Sequence, residues 1–451
     1  MKIAGVELKG AVVLVVGMAK SGVAAAQLLR ARGAVPVACD AKPLAELPAD
    51  TREALQGIEF RLQSPDAAQG AALVVLSPGV PPDIELVRRA REHGVPIVGE
   101  LELASYFLQG KSIGIIGTNG KTTTTALVGH ILHESGIAAQ VGGNIGTPPS
   151  AMVASSQPGQ WNVLELSSFQ TESINHFRAD IAVCLNVTPD HLDRYVTFAD
   201  YTAAKRRLFE TLNEDAYAVL NADDEHCVNF ANSTRARVLW FSAKRRVTPG
   251  VWVENGEIRY QGEPLMKTED IPLRGRHNWE NVLAAATVAR LSGASLSQLA
   301  AAVRSFQGVE HRIEFVRRVG GVSFYNDSKA TNVDAALKSL DSFNERLFVI
   351  LGGKDKGSDY RPLAAPLKER AVAALLIGQA SQKIETAVKD SVPVVRCDTL
   401  EAAVEIAYSQ ARAGDVVLLA PACASFDQFD NYEHRGRVFK QAVAALAEKN
   451  G

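Results

Sequence analysis

Short apolar runs, each closing on a glycine or a polar residue, alternate along this chain with stretches of helical periodicity. Val12 to Val16 form the first run. "GMAKSG" and the helical pattern "VAAAQLLRARG" follow, and then the run "VPVACD", which ends on Asp40. Two such runs joined through a helix predict a parallel βαβ unit. The pattern continues through "LVVLSPGV" and "VPIVGELELA". A second segment opens near Lys111 with "SIGIIG" and carries "NVLELSS", "IAVCLNVTPDH" and "AYAVLNADD". Within it, "GVWVENGEIRYQG" alternates about Asn-Gly and predicts a β-hairpin. The third segment starts near Val309 and again alternates strands ("FVILGG", "AALLIG", "DVVLLAPA") with helices. The expectation is an α/β chain of three units, with sites at the carboxyl ends of strands.

Composition narrows the partners. A chain of 451 residues is too long for one ordinary core. A formal net charge of −2 gives no reason to expect a nucleic-acid groove or an anionic membrane surface. No apolar run reaches the roughly 18 residues of a membrane span. The opening "MKIAGVELKGAVVLVVG" leads into a glycine turn and a helix, so it reads as a first strand and not as a signal peptide. Cys39, Cys184, Cys227, Cys397 and Cys423 are dispersed, with no C-x-x-C pair. That usage fits a reducing cytoplasm and argues against a cysteine zinc site. Monomeric behaviour is expected.

Chemistry concentrates in the second segment. "GIIGTNGKTTTTAL" puts the loop Gly117-Thr118-Asn119-Gly120-Lys121-Thr122 between an apolar strand and a helix, with Thr123 next. Ile115 stands where the longer phosphate loop has its first glycine. Backbone N–H groups and a helix N-terminus cradle phosphate oxygens, Lys121 can reach the terminal phosphates, and the Thr122 hydroxyl can ligate Mg²⁺. Glu165, at the end of "NVLELSS", is suited to hold a metal beside the triphosphate. His191 lies among Asp190, Asp193 and Arg194, a polar group that is hard to bury without a ligand. Lys205, opening a basic run on a helix, reads by itself as a solvated face. In the first segment, "VVGMAKSG" and Asp40 suggest a nicotinamide site, but Ala19 stands where that fingerprint has its second glycine. A nucleotide-binding module without activity has no use for Glu165, His191 and Lys205 in register.

Taken together, "GTNGKTT", "ELSSFQ", "NVTPDHLDRY" and "RHNWENVLAA" resemble the Mur ligases, the ATP-dependent amide-forming enzymes of peptidoglycan precursor assembly. "GVEHRIE", "YNDSKATN", "GGKDKG" and "APACASFDQFDNYEHRG" are similar to the branch that adds D-glutamate to UDP-N-acetylmuramoyl-L-alanine. A diaminopimelate- or lysine-adding sister is expected to carry an Asp-Asn-Pro-Arg type motif in the third segment, and none is present. A folylpolyglutamate synthetase would share the ATP site, but the first segment and "ACASFDQF" argue against it.

The resemblance implies a Rossmann-like domain over residues 1–108 for the UDP substrate, a central ATPase-like α/β domain over 109–309, and a Rossmann-like domain over 310–451 for the amino acid. It implies that Lys121 and Thr122 handle the β- and γ-phosphates and one Mg²⁺, with Glu165 on the same ion. His191 and Lys205 would serve a second Mg²⁺, Lys205 as a carboxylated side chain. Asn278 would contact adenine, Arg312 the γ-phosphate and Asp327 the ribose. Lys329, Thr331, Lys356, Ser425 and Tyr432 match positions around D-glutamate. Lys20, Ser21, Asp40, Ala41, Lys42 and Ser77-Pro78-Gly79 match the UDP pocket, and Asn144 a contact to the muramoyl group. The implied chemistry is an acyl phosphate attacked by the D-glutamate amine, with His191 or a metal-bound oxygen as candidate base.

Overall fold

The computed structural model of the protein describes residues 1–192 and 194–450; Asp193 lies outside them. After a small antiparallel ribbon, β1 (Lys2–Ile3) and β2 (Val6–Glu7), the first sheet forms from β3 (Val12–Val16), β4 (Val35–Asp40), β5 (Glu59–Leu62), β6 (Leu73–Leu76) and β7 (Ile97–Gly99). Its order is β5-β4-β3-β6-β7, and every pairing is parallel. The second sheet contains β8 (Lys111–Ile116), β9 (Ala139–Gly143), β10 (Trp161–Glu165), β11 (Ile181–Cys184), β12 (Tyr217–Asn221), β13 (Arg237–Ser242), β14 (Gly250–Glu254), β15 (Glu257–Tyr260) and β16 (Glu263–Lys267). Strand β8 lies between β10 and β11, and the antiparallel β14-β15-β16 closes one edge. The third sheet has the order β17 (Glu314–Val319), β18 (Val322–Asn326), β22 (Val416–Leu419), β19 (Leu347–Gly352), β20 (Ala371–Ile377) and β21 (Val394–Arg396). Only β17 runs antiparallel there.

Alternation inside the apolar runs explains the layers. Val13 and Val15 face a core with Leu28 and Leu29, whereas Leu14 and Val16 face one with Val87 and Ala90. A strand covered on both faces must be apolar throughout, which is why these runs lack a polar face. The expected hairpin is present: Asn255 (φ 51°) and Gly256 (φ 75°) are both left-handed, the backbone a two-residue type I′ turn requires. The chain separates into two compact units. One comprises Met1–Val187, Arg194–Thr268 and Glu280–Val303 and holds the first two sheets; the other comprises Thr188–Asp193, Glu269–Trp279 and Arg304–Gly451.

Candidate active site

In the first unit the phosphate loop follows β8, and the helix Lys121–Glu134 begins directly after it. Gly120 caps this helix at φ 88°, and a Cβ added there would come 2.4 Å from Asn281 Oδ1. Only glycine meets both conditions without strain. Asn186 shapes the loop from the end of β11. Its carbonyl accepts the Thr118 N–H (2.9 Å), its side chain accepts the Asn119 N–H (2.9 Å), and its amide donates to the Asn119 carbonyl (3.1 Å). The N–H groups of the first helical turn are therefore presented at a fixed rim, the arrangement that holds phosphate.

Two lysines converge on one carbonyl of that loop. Lys121 Nζ donates to Gly117 O at 2.8 Å and to Thr118 O at 2.9 Å, and Lys205 Nζ donates to Gly117 O at 2.9 Å. Lys205 is only 1% exposed and lies 4.6 Å from the centre of the Tyr201 ring. The solvated-face reading of Lys205 is thus wrong: the helix Phe198–Glu210 turns it inward, against Tyr201, whose hydroxyl meets Thr118 Oγ1 at 3.1 Å. Glu165 is also buried. Its Oε1 accepts from Asn144 Nδ2 (3.3 Å), while its Oε2 is buried with no hydrogen-bond partner among the described residues. A buried carboxylate oxygen left over beside a phosphate loop is costly unless a cation or donor meets it. With the hydroxyls of Thr122 and Thr123 also buried at the loop, this all-oxygen donor set fits a hard divalent ion such as Mg²⁺.

The first sheet contributes a second region in the same unit. Asp40 spends both carboxylate oxygens on backbone N–H groups, accepting that of Met18 in the glycine turn (2.7 Å) and that of Lys42 in its own turn (2.9 Å). Ser77 Oγ donates to Gly17 O at 2.6 Å, which joins the glycine turn to the Ser77-Pro78-Gly79 turn. Lys20, Ala41, Lys42 and Gly79 remain exposed around these turns, and Ser21 is half-buried. Ser77 and Pro78 also line a cavity of about 400 Å³ that Gln170, Glu172 and Ser173 close from the second sheet.

The remaining candidates lie in the second unit. Asp190 accepts the His191 N–H (2.9 Å) and Asn332 Nδ2 (3.2 Å), and Lys356 Nζ lies 3.7 Å from it. His191 adopts φ 54° and keeps its ring about one-third exposed. Lys329 Nζ reaches Tyr432 Oη at 3.3 Å, and the Thr331 N–H returns to Lys329 O. Ser425 is buried. Asp327 is buried at the end of β18, where Ser339 donates to its Oδ2 and Oδ1 has no partner among the described residues. Burial raises its carboxyl above the usual range, against the opposing pull of Arg312. Arg312 itself has a buried Nε with no partner among the described residues. Asn278 donates to Arg274 O at 2.6 Å.

Around His191, Asp190 accepts from His191 and Asn332, and Arg194 pairs with Glu172 (2.7 Å); Asp193 lies outside the described residues. The structure adds residues that shape the phosphate loop. Asn186, Asn281 and Tyr201 shape the loop; the two asparagines lie inside "NVTPDHLDRY" and "RHNWENVLAA", but neither motif reveals what they hold. Asn281 lies three residues after Asn278, on the same helical face, and that spacing within "RHNWENV" is the one clue that could have found it.

Residues 11–99 match the family described as Mur ligase MurD-like, N-terminal domain, residues 115–289 the Mur ligase middle domain, and residues 311–423 the Mur ligase, glutamate ligase domain. The UDP-N-acetylmuramoylalanine–D-glutamate ligase of Solibacter usitatus is 56% identical over 444 residues, covering 98% of this chain and 100% of that protein. The enzyme of the same description from Acidobacterium capsulatum is 49% identical, covering 97% of each. Among solved structures, the MurF ligase of Thermotoga maritima in complex with ADP gives a TM-score of 0.64 at 16% identity, over 98% of this chain and 96% of that one. UDP-N-acetylmuramate-alanine ligase MurC of the same organism gives 0.62 at 20%, over 96% and 99%. Those two likenesses speak to the fold, a three-domain α/β architecture. With all three segments matched and relatives this similar from end to end, the chain belongs to the Mur ligase family.

Proposed function

We propose that this chain joins the L-alanyl carboxylate of UDP-N-acetylmuramoyl-L-alanine to the amine of D-glutamate, converting ATP to ADP and phosphate, in peptidoglycan precursor biosynthesis. The observation that carries the reaction class is the phosphate loop, with two lysines and a Glu165 oxygen that has no partner among the described residues. The named activity of the 56% and 49% identical relatives supports D-glutamate as the amino acid.

A carboxylate offers an amine no leaving group, so it must first be activated. Its oxygen attacks the γ-phosphorus, the bond to the bridging oxygen breaks, and ADP departs. The amine nitrogen then attacks the acyl carbon, the carbon–oxygen bond to phosphate breaks, and the nitrogen gives up a proton. The first step brings two anions together, so positioning and charge compensation dominate it. Lys121, the loop N–H groups and Arg312 supply protein charge to the phosphates; Asn278 and Asp327 take the nucleoside. Thr122 and Glu165 would hold one Mg²⁺, and His191 with a carboxylated Lys205 a second; bound there, the ions neutralise phosphate charge. Two ammonium groups on the Gly117 carbonyl repel each other, and carboxylation of Lys205 removes that repulsion while supplying the anionic oxygens a hard metal takes.

The domains 1–108, 109–309 and 310–451 hold the UDP handle, ATP and D-glutamate respectively. Lys329, Thr331, Lys356, Ser425 and Tyr432 surround the amino acid, and Asn144 meets the muramoyl group. We assign the enzyme to the cytoplasm as a monomer. Five buried free cysteines support the compartment, and among the described residues no helix is long and apolar enough to cross a membrane.

Isotope transfer tests the acyl phosphate. With both oxygens of the substrate carboxylate as ¹⁸O, one label should appear in the released phosphate and one should stay in the new amide. Phosphate free of ¹⁸O would contradict the mechanism.

A further inference from the structure

Tyr360 is among the largest fully buried side chains, at 2% exposure, yet its hydroxyl is not idle. It donates to Asp355 Oδ1 at 2.9 Å, and Cys423 Sγ lies 3.0 Å away. A phenol has one proton to give. With that proton on Asp355, the thiol must be the donor to the phenol oxygen. Burial pushes the Cys423 thiol up to about 11, which keeps it protonated for that role.

Asp355 in turn is the peg of a tight turn. Its Oδ1 also accepts the N–H groups of Gly357 (3.1 Å) and Ser358 (3.2 Å), and its Oδ2 takes Lys383 Nζ (2.8 Å). Lys356 sits inside that turn and is therefore carried by it. On the other side of the ring, Cys423 belongs to the strand-end segment that ends on Ser425, and Lys354 N–H binds Ala424 O at 2.9 Å. The Tyr360 hydroxyl thus stands between the two short segments that carry Lys356 and Ser425. Its ring is fixed in the apolar core with Leu363, Leu367 and Leu376.

We propose that Tyr360 is a positioning residue for D-glutamate: its hydroxyl holds Asp355, and through that turn sets Lys356 in register with Ser425. The inference rests on the reading of Lys356 as a D-glutamate contact. A linear run of donors ending on a carboxylate polarises along its length, so loss of the middle member loosens both ends. The turn keeps its two N–H bonds and Lys383 without the phenol, so the fold survives while the lysine loses its fixed position.

The test is Tyr360→Phe, with steady-state kinetics in each substrate. A hydrogen bond to a charged group is worth about tenfold when deleted. KM for D-glutamate should therefore rise about tenfold. KM for ATP and for the UDP substrate should stay within about twofold. A merely structural role would lower thermal stability and leave all three KM values alone, and that result overturns the inference. In a Lys356→Ala background, Tyr360→Phe should add less than about twofold, because the effect runs through Lys356; a full further tenfold overturns it. Lys356→Ala alone separates the two readings. If KM for D-glutamate does not move, the assignment of Lys356 fails; if it rises while Tyr360→Phe is silent, only the positioning role fails. Should Tyr360→Phe not fold, Lys383→Met removes another partner of Asp355 from the surface. It should raise KM for D-glutamate about threefold, and an unchanged value overturns the proposal.

Discussion

Replacing Gly120 by alanine attacks the phosphate loop at its most constrained point. At φ 88° an L residue costs about 1–2 kcal/mol. The new Cβ would also stand 2.4 Å from Asn281 Oδ1 and 3.1 Å from Leu185 Cδ1. Asn281 is a side chain and can move, but it then abandons the Thr124 hydroxyl it holds at 3.2 Å, a loss of about 1 kcal/mol. The sum is about 2–3 kcal/mol for keeping the ATP-ready loop. Because the loop can relax instead of the whole domain unfolding, the cost should appear in nucleotide binding, as about a 30- to 150-fold rise in KM for ATP. Phosphate release at varied ATP, with calorimetric Kd for ADP as a second readout, measures it. Adding Asn281→Ala should relieve the collision but not the backbone strain, recovering part of the loss. A Gly120→Ala enzyme with KM for ATP within twofold of the parent would refute the reasoning.

Two further outcomes follow from buried ionisable groups. Lys205→Arg keeps the charge but cannot carry a carboxylated amine, and should lower kcat by about 10²-fold or more. Lys205→Ala should also fail and regain some turnover with added acetate; full activity in the arginine variant would remove the carboxylated lysine from the account. Glu100, buried and hydrogen-bonded to Ser150 N–H at 2.6 Å, has its carboxyl raised by burial to about 7, the Ser150 bonds opposing. A carboxyl whose folded pKa exceeds its unfolded value stabilises fully below pH of about 4.5 and loses that contribution as pH rises towards 7. The loss is on the order of 3 kcal/mol. Tm of the parent should therefore fall between pH 5 and pH 8 more steeply than that of Glu100→Gln; parallel slopes would contradict it.

Local signals made the strands and the phosphate loop legible, because burial on both faces forces apolar runs and a helix-capping loop forces glycine. The pairings that shape the site were not. Asn186 holds Asn119 across 67 residues of sequence, and Asn281 meets Thr124 across 157. An asparagine in a motif does not announce its partner. Lys205 shows the same limit from the other side: in "AAKRRLF" it looks solvated, and only the turn of the helix against Tyr201 buries it. The edge strand β17, "EFVRRV", mixes apolar and charged positions as an edge should, and lacked the unbroken apolar run that marked its neighbours.

The central claim is tested most directly by phosphate release with ATP, Mg²⁺ and UDP-N-acetylmuramoyl-L-alanine while the amino acid is varied. D-glutamate should support turnover, and L-glutamate, L-lysine and meso-diaminopimelate should give only background. Equal rates with a diamino acid, or release that does not depend on the UDP substrate, would contradict it.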